Sequence, residues 1–198
     1  SIVGTSEGIA GVLEMADELR EEAPSAIRAL RALGIGHVVM LTGDRHPVAR
    51  ATGAEVGIDE VLAELLPEDK LDRIRELVKT HGVVAMVGDG VNDAPALALS
   101  SVGIAMGAAG SPAAIETADV ALMAEDLRKI PAAVALGRRM VSVIRQNVAA
   151  SLAIKAGFLG LAVTGYATLW MAVAADMGTT LLVIGNGIRL LQNRQAQA

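Results

Sequence analysis

The stretch Val83-Val84-Ala85-Met86-Val87-Gly88-Asp89-Gly90-Val91-Asn92-Asp93-Ala94-Pro95 decides how this chain is read. Its first five residues form a short apolar run rich in β-branched types, the pattern of a parallel strand buried on both faces. A turn follows that carries two carboxylates four residues apart, with glycine on both sides of the first. Hard oxygen ligands gathered in this way suit Mg²⁺, which keeps waters and substrate phosphate oxygens in its remaining positions. Asn92 adds a neutral donor for phosphate. Capping of the next helix accounts for Asp93 alone, but not for Asp89 as well.

The flanking sequence repeats the strand–helix alternation. His37-Val38-Val39-Met40-Leu41 is another short apolar run, and Val102-Gly103-Ile104-Ala105-Met106 and Ala118-Asp119-Val120-Ala121-Leu122-Met123 are two more. Between them lie helical patterns. Pro24 to Leu33 places Ile27, Leu30 and Leu33 at helical spacing; a second helix has Pro47 near its first turn. Pro67 to Thr80 turns Leu71, Ile74 and Val78 inward, with Asp72, Arg73, Arg75 and Glu76 outward, and stops at Gly82. A short helix begins near Asn92. This order predicts an α/β fold with a Rossmann-like parallel sheet and helices on both faces. Chemistry in such sheets sits beyond the carboxyl ends of the strands.

Beyond the 37–41 run comes Thr42-Gly43-Asp44. A threonine hydroxyl and the N–H groups of a glycine turn can hold a phosphoryl oxygen, although the same tripeptide taken alone is an ordinary turn. Pro67-Glu68-Asp69-Lys70 opens a helix with Lys70 in its first turn, where a cation opposes the helix dipole. Local rules broken in this way cluster at functional sites, and a lysine facing phosphate would balance its charge.

The chain has 198 residues, no cysteine, 53% hydrophobic and 2% aromatic residues, and a net charge of -5. Its mean hydropathy is +0.48. The length allows one full domain, or one domain plus an appendage. Disorder is excluded by the apolar content, a disulfide scaffold or cysteine-ligated metal by the composition. The acidic balance opposes a nucleic-acid partner. The apolar residues concentrate at the end: from Val148 to Leu191 only Lys155 and Asp176 are charged before Arg189. About 20 residues cross a bilayer as a helix, so the tract suits two crossings, with Gly165-Tyr166-Ala167-Thr168 as the turn. Tyr166 and Trp170 are interfacial types, and Arg138, Arg139, Arg145, Arg189 and Arg194 place both ends on the cytoplasmic side. The amino-terminal Ser1-Ile2-Val3-Gly4 opens in mid-pattern, without an initiator Met and without signal-peptide character.

Taken together, Met40-Leu41-Thr42-Gly43-Asp44, the Pro-Glu-Asp-Lys at 67–70 and the Gly-Asp-Gly-Val-Asn-Asp-Ala-Pro-Ala-Leu at 88–97 resemble the phosphorylation domain of P-type ATPases, whose fold is similar to the haloacid dehalogenase phosphatases. The resemblance covers essentially the whole chain, including the hairpin that follows this domain in the heavy-metal-transporting branch. It implies that Thr42, with Gly43 and Asp44 in its turn, touches the aspartyl phosphate and that Lys70 pairs with it. Asp89 would ligate Mg²⁺, with Asn92 and Asp93 completing the phosphate and metal shell. The family's nucleophile, the Asp of an Asp-Lys-Thr-Gly-Thr motif, is not in this sequence. The expected organisation is therefore a C-terminal portion of a pump. It comprises a phosphorylation domain over 1–127 without its nucleophile strand, a helical stalk over 128–146, two membrane helices over 147–191 and a cytoplasmic tail over 192–198. ATP would be bound mainly by a nucleotide domain outside this chain, and the chain alone would be inactive.

Charged residues inside membrane helices mark functional paths. Lys155 lies about 12 Å into the first span at about 1.5 Å per residue, and Asp176 at comparable depth from the other side. A carboxylate suits a borderline cation such as Zn²⁺ and is a poor ligand for Cu⁺. By resemblance, Lys155 with Asp176-Met177-Gly178 is similar to the zinc, cadmium and lead exporters, the cobalt type carrying His-Glu-Gly there and the copper type a Met and paired serines. The expected partners are thus a divalent metal ion and the bilayer of a bacterial plasma membrane. Mutual neutralisation of Lys155 and Asp176 is the structural alternative. A membrane-anchored phosphatase would need its own nucleophile upstream, where Asp17 is the only aspartate and has no matching context. A non-catalytic module is the third reading.

Overall fold

The computed structural model describes residues 2–5, 8–12, 19–89, 93–107 and 112–192, with 2–5, 8–12, 112–114 and 191–192 described by their backbone alone. The chain divides into two compact units, Ser1–Pro131 and Ala132–Ala198.

The first unit opens with an antiparallel hairpin, β1 (Ile2–Thr5) and β2 (Gly8–Val12). Alternation follows: α1 (Ala23–Ala32), β3 (Val39–Leu41), α2 (His46–Val56), β4 (Glu60–Leu62), α3 (Pro67–His81), β5 (Ala85–Gly88), α4 (Ala94–Leu99), β6 (Val102–Met106), α5 (Pro112–Thr117) and β7 (Val120–Leu122). The strands from β3 to β7 pair in parallel, as the alternation requires. They form two pieces: β3 with β4, and β5-β6-β7 with β6 in the middle. Central β6 is buried along Gly103, Ile104 and Ala105, whereas on β5 Val87 stays 36% exposed. Among the described residues, β3 and β5 each keep one edge without a strand partner.

The pieces share one core. Ile74 of α3, Met86 of β5, Ala96 and Leu97 of α4 and Ala105 of β6 form it, and Leu41 of β3, Leu71 and Val78 pack against them. The inward face of α3 is therefore the apolar one that its spacing predicts. β4 and α5 carry no comparable pattern, and β4 is three residues long with Glu60 at its head. The β5 strand starts two residues later than its apolar run suggests. Val83 is 80% exposed, and the N–H of Val84 donates to the Ser101 hydroxyl instead of to a neighbouring strand.

At the amino ends of β3 and β4, Asp59 ties three segments. Its carboxylate accepts from the Arg31 guanidinium at 2.8 Å and from the N–H of Val38 at 2.8 Å, and Arg31 also donates to Gly57 O. The hydrogen bond from Arg31, then that from Val38, holds the Asp59 carboxyl below the usual carboxylate range.

The second unit is a helical hairpin. Helix α6 (Lys129–Val163) is a single helix of 35 residues, and α7 (Leu169–Gln192) follows a short link. In the link, Gly165 takes a φ of 79°, a left-handed geometry that glycine adopts at no steric cost. The Thr168 hydroxyl accepts from the N–H of Met171 and so caps α7. By length and composition both helices are long and apolar enough to cross a membrane. At 1.5 Å per residue α6 runs about 52 Å, well beyond a hydrocarbon core of about 30 Å. The Arg138, Arg139 and Arg145 stretch is the surplus.

Because the folded pKa of Asp59 is depressed, its contribution is present above the ordinary carboxylate value and lost as pH falls through the folded one. Urea unfolding should therefore show a loss of stability as pH falls below about 4, and Asp59→Asn should flatten that acid limb. An unchanged limb in the variant would assign the loss to other carboxylates.

Candidate functional site

Two strand ends build the site. Where β3 stops, the N–H of Thr42 donates to Leu62 O of β4 at 3.0 Å, and the N–H of Leu65 donates back to Thr42 O at 3.0 Å. The Thr42 hydroxyl donates to the Asp44 carboxylate at 2.9 Å and accepts from the Asp44 N–H at 3.1 Å. Thr42-Gly43-Asp44 is thus a closed turn whose hydroxyl is spent on Asp44. Gly43 and Asp44 are exposed and Thr42 half-buried. Glu64, beside this turn, has a φ of 58° and donates its N–H to Asp44 O. A left-handed glutamate costs about 1 kcal/mol, and no sequence signal marks it.

Where β5 stops, Asp89 is exposed and Asp93 half-buried. Asp93 stands at the N-cap position of α4, yet its side chain makes no capping hydrogen bond. It pairs with Lys70 instead, Nζ to Oδ1 at 2.9 Å, across 23 residues of sequence. The side chains are 21% and 16% exposed, making this the least exposed ion pair among the described residues. The first turn of α3 explains how a cation is tolerated there. The Asp69 carboxylate accepts from the Leu66 N–H at 2.9 Å, and Lys70 leaves the helix end to meet Asp93.

Gly88, which the sequence marks only as a flank of Asp89, has a further part here. A Cβ at Gly88 would lie 2.8 Å from the Asp93 Cβ and 2.9 Å from its Oδ2. The bare strand end is what lets Asp93 fold back toward Lys70. The signal was a glycine directly before the first aspartate. Asn92 lies outside the described residues, as do Asp17 and Arg194.

The donor set can be tested against Mg²⁺. Asp89 and Asp93 offer hard carboxylate oxygens at one open strand end, and a site completed by water and phosphate oxygens needs no more protein ligands. Among the described residues no group of three His, Asp or Glu side chains is arranged to hold a metal unaided. The residues present fit the ion.

In the hairpin, Lys155 and Asp176 are both exposed, and among the described residues no ion pair joins them. Asp176 accepts one hydrogen bond through its backbone, from the Thr180 hydroxyl at 3.0 Å. The structure thus brings Lys70 to Asp93 and Thr42 to Asp44, and among the described residues does not join Lys155 to Asp176.

Comparison with known proteins places this arrangement. Residues 4–100 match the model of the haloacid dehalogenase-like hydrolases. The chain is 51% identical over 191 residues to a probable cadmium-transporting ATPase of Staphylococcus aureus, covering 96% of this chain and 26% of that protein. It is 47% identical over 182 residues to a zinc-transporting ATPase of Synechocystis, covering 91% of this chain and 25% of the relative. The crystal structure of a zinc-transporting PIB-type ATPase in an E2.Pi state superposes with a TM-score of 0.84 at 43% identity, over 96% of this chain and 31% of that one. The chain spans about a quarter of the length of these curated relatives. With its haloacid dehalogenase-like sheet, its membrane-length hairpin and a likeness that runs over nearly every residue, the chain belongs to the P-type ATPase family.

Proposed function

We propose that this chain is part of an ATP-driven pump that exports a divalent heavy metal, Zn²⁺, Cd²⁺ or Pb²⁺, through an aspartyl-phosphate intermediate. The observation that carries the reading is the Lys70–Asp93 pair at the open end of β5, 2.9 Å apart and held clear of helix capping. A lysine and a carboxylate kept together at a strand end are what a transferring phosphoryl group and its counter-ion need.

Residues 1–127 act as the phosphorylation domain, 128–146 as a stalk, 147–191 as the membrane hairpin and 192–198 as a tail, with domain and tail on the cytoplasmic side of a bacterial plasma membrane. The nucleophile and the nucleotide domain belong to the longer protein. Its aspartate would attack the terminal phosphorus of ATP, forming an acyl-phosphate bond as the bond to ADP breaks. The unpartnered edges of β3 and β5 support an additional strand between them, which would carry that aspartate to both strand ends. Lys70 neutralises the phosphoryl oxygens; the Thr42 hydroxyl, released from Asp44, and the Gly43 N–H orient them, with Asn92 as a further donor. Mg²⁺, held when bound by Asp89 and Asp93, would supply charge neutralisation on the same oxygens. Asp176 would be a ligand of the transported cation and Lys155 its charge partner.

In the longer protein, Asp89→Asn or Asp93→Asn should abolish Mg²⁺-dependent phosphoenzyme formation, measured with radiolabelled ATP. Lys70→Ala should slow it at least tenfold, about 1.4 kcal/mol, and Lys70→Arg should rescue poorly because its guanidinium is planar and larger. Normal phosphorylation in both Asp variants would overturn the metal shell.

Asp176→Asn should leave the protein inserted and remove Zn²⁺-stimulated ATP hydrolysis, since an amide is the weaker ligand. If Asp176 merely balanced Lys155, the double variant Lys155→Met with Asp176→Asn would regain activity. Recovery there would contradict the ligand assignment.

A further inference from the structure

The less exposed residues of helices α6 and α7 fall along one row on each helix. On α7 the less exposed positions include Ala172, Ala175, Thr179, Val183 and Asn186, spaced by three and four; on α6 they include Asn147, Ser151, Ile154 and Phe158. Such spacing is the seam of a helical pair. The Thr179 hydroxyl, 8% exposed as a residue, is spent within its own helix on Ala175 O. Between apolar helices in lipid, burial supplies little drive, because acyl chains are as apolar as leucine. A directional polar bond between the helices therefore carries weight there. Asn186 Nδ2 donates to Asn147 Oδ1 at 2.8 Å, across 39 residues of sequence, from two half-buried positions. This bond joins the helices near Arg145 and Arg189.

The consequence lies deeper in the hairpin. Lys155 follows Asn147 by eight residues and Asp176 precedes Asn186 by ten. At 1.5 Å per residue the bond sets them about 12 and 15 Å from itself, nearly level. Each stands one residue past a seam position, Ile154 and Ala175, so both border the seam. A slip of one helical turn, about 5.4 Å, would separate them in depth.

We propose that the Asn147–Asn186 hydrogen bond fixes the register of α6 against α7, making both asparagines positioning residues for the cation site to which Lys155 and Asp176 contribute. This rests on the cation-pump reading above for its functional half only.

The sequence has no cysteine, so nitroxides can be placed cleanly at Ala156→Cys and Met177→Cys in the full chain, reconstituted in lipid nanodiscs. Pulsed dipolar spectroscopy should give one narrow distance. Asn186→Leu and Asn147→Leu should each broaden or split it, and Asn186→Gln, which keeps an amide, should narrow it again. An unchanged distribution in both Leu variants would overturn the register role.

In the unlabelled longer protein, Asn186→Leu should raise the KM for Zn²⁺ in ATP hydrolysis at least tenfold while kcat at saturating Zn²⁺ stays within twofold, with Asn186→Gln restoring KM. A fall in kcat at unchanged KM would reduce the bond to plain architecture and overturn the positioning role. Absence of Zn²⁺-stimulated hydrolysis in the unmodified protein would instead contradict the pump reading, and the spectroscopic arm would still decide the register.

Discussion

The candidate site depends on the Lys70–Asp93 ion pair, the least exposed such pair among the described residues. Placing a lysine in the first turn of a helix is unfavourable, because the dipole there favours anions. Asp93 offsets that by leaving its own natural task, capping α4, and meeting Lys70 at 2.9 Å. Gly88 makes room for it at the end of β5. Removing either charge leaves the other half-buried without its partner, which is costly in a partly desolvated site. The two residues thus hold one another in place and constrain the ends of α3, β5 and α4 together.

The core supports that constraint from below. Ile74 lies one turn beyond Lys70 on α3, and Leu97 one turn beyond Asp93 on α4; they are 2% and 1% exposed in the same cluster. The apolar faces that fold the unit therefore aim both charged side chains at one point. Thr42 is held separately, through β4, and reaches the shared core through Leu41. Among the described residues β3 and β5 each have one edge without a strand partner, and the two halves of the site meet through packing.

Much of this was legible in the sequence, for identifiable reasons. The runs at 102–106 and 120–122 are short, continuous and apolar, so their strands stand out, and the inward face of α3 follows from its 3.6-residue period. Asp89, Asp93 and Thr42 were legible because glycine turns directly after apolar runs mark strand ends. Glu60-Val61-Leu62 was not legible, since three residues with a charge at their head carry no periodic signal. The partner of Lys70 was hidden as well: its conflict with the helix dipole showed that something was needed, and only the fold shows that Asp93 supplies it. The same limit applies in the hairpin. Lys155 and Asp176 announce themselves as charges in an apolar tract, but that Asn147 and Asn186 meet is a property of helix register.

The most direct measurement is phosphate trapping in the longer protein, followed by mass-spectrometric mapping of the modified residue. With Mg²⁺, ATP and Zn²⁺ present, a single hydroxylamine-sensitive acyl phosphate is expected on the aspartate of an Asp-Lys-Thr-Gly-Thr motif, formed only while Asp89 and Asp93 are intact and more slowly without Lys70. Phosphate on any other residue, or ATP hydrolysis with no acyl phosphate at all, would contradict the account.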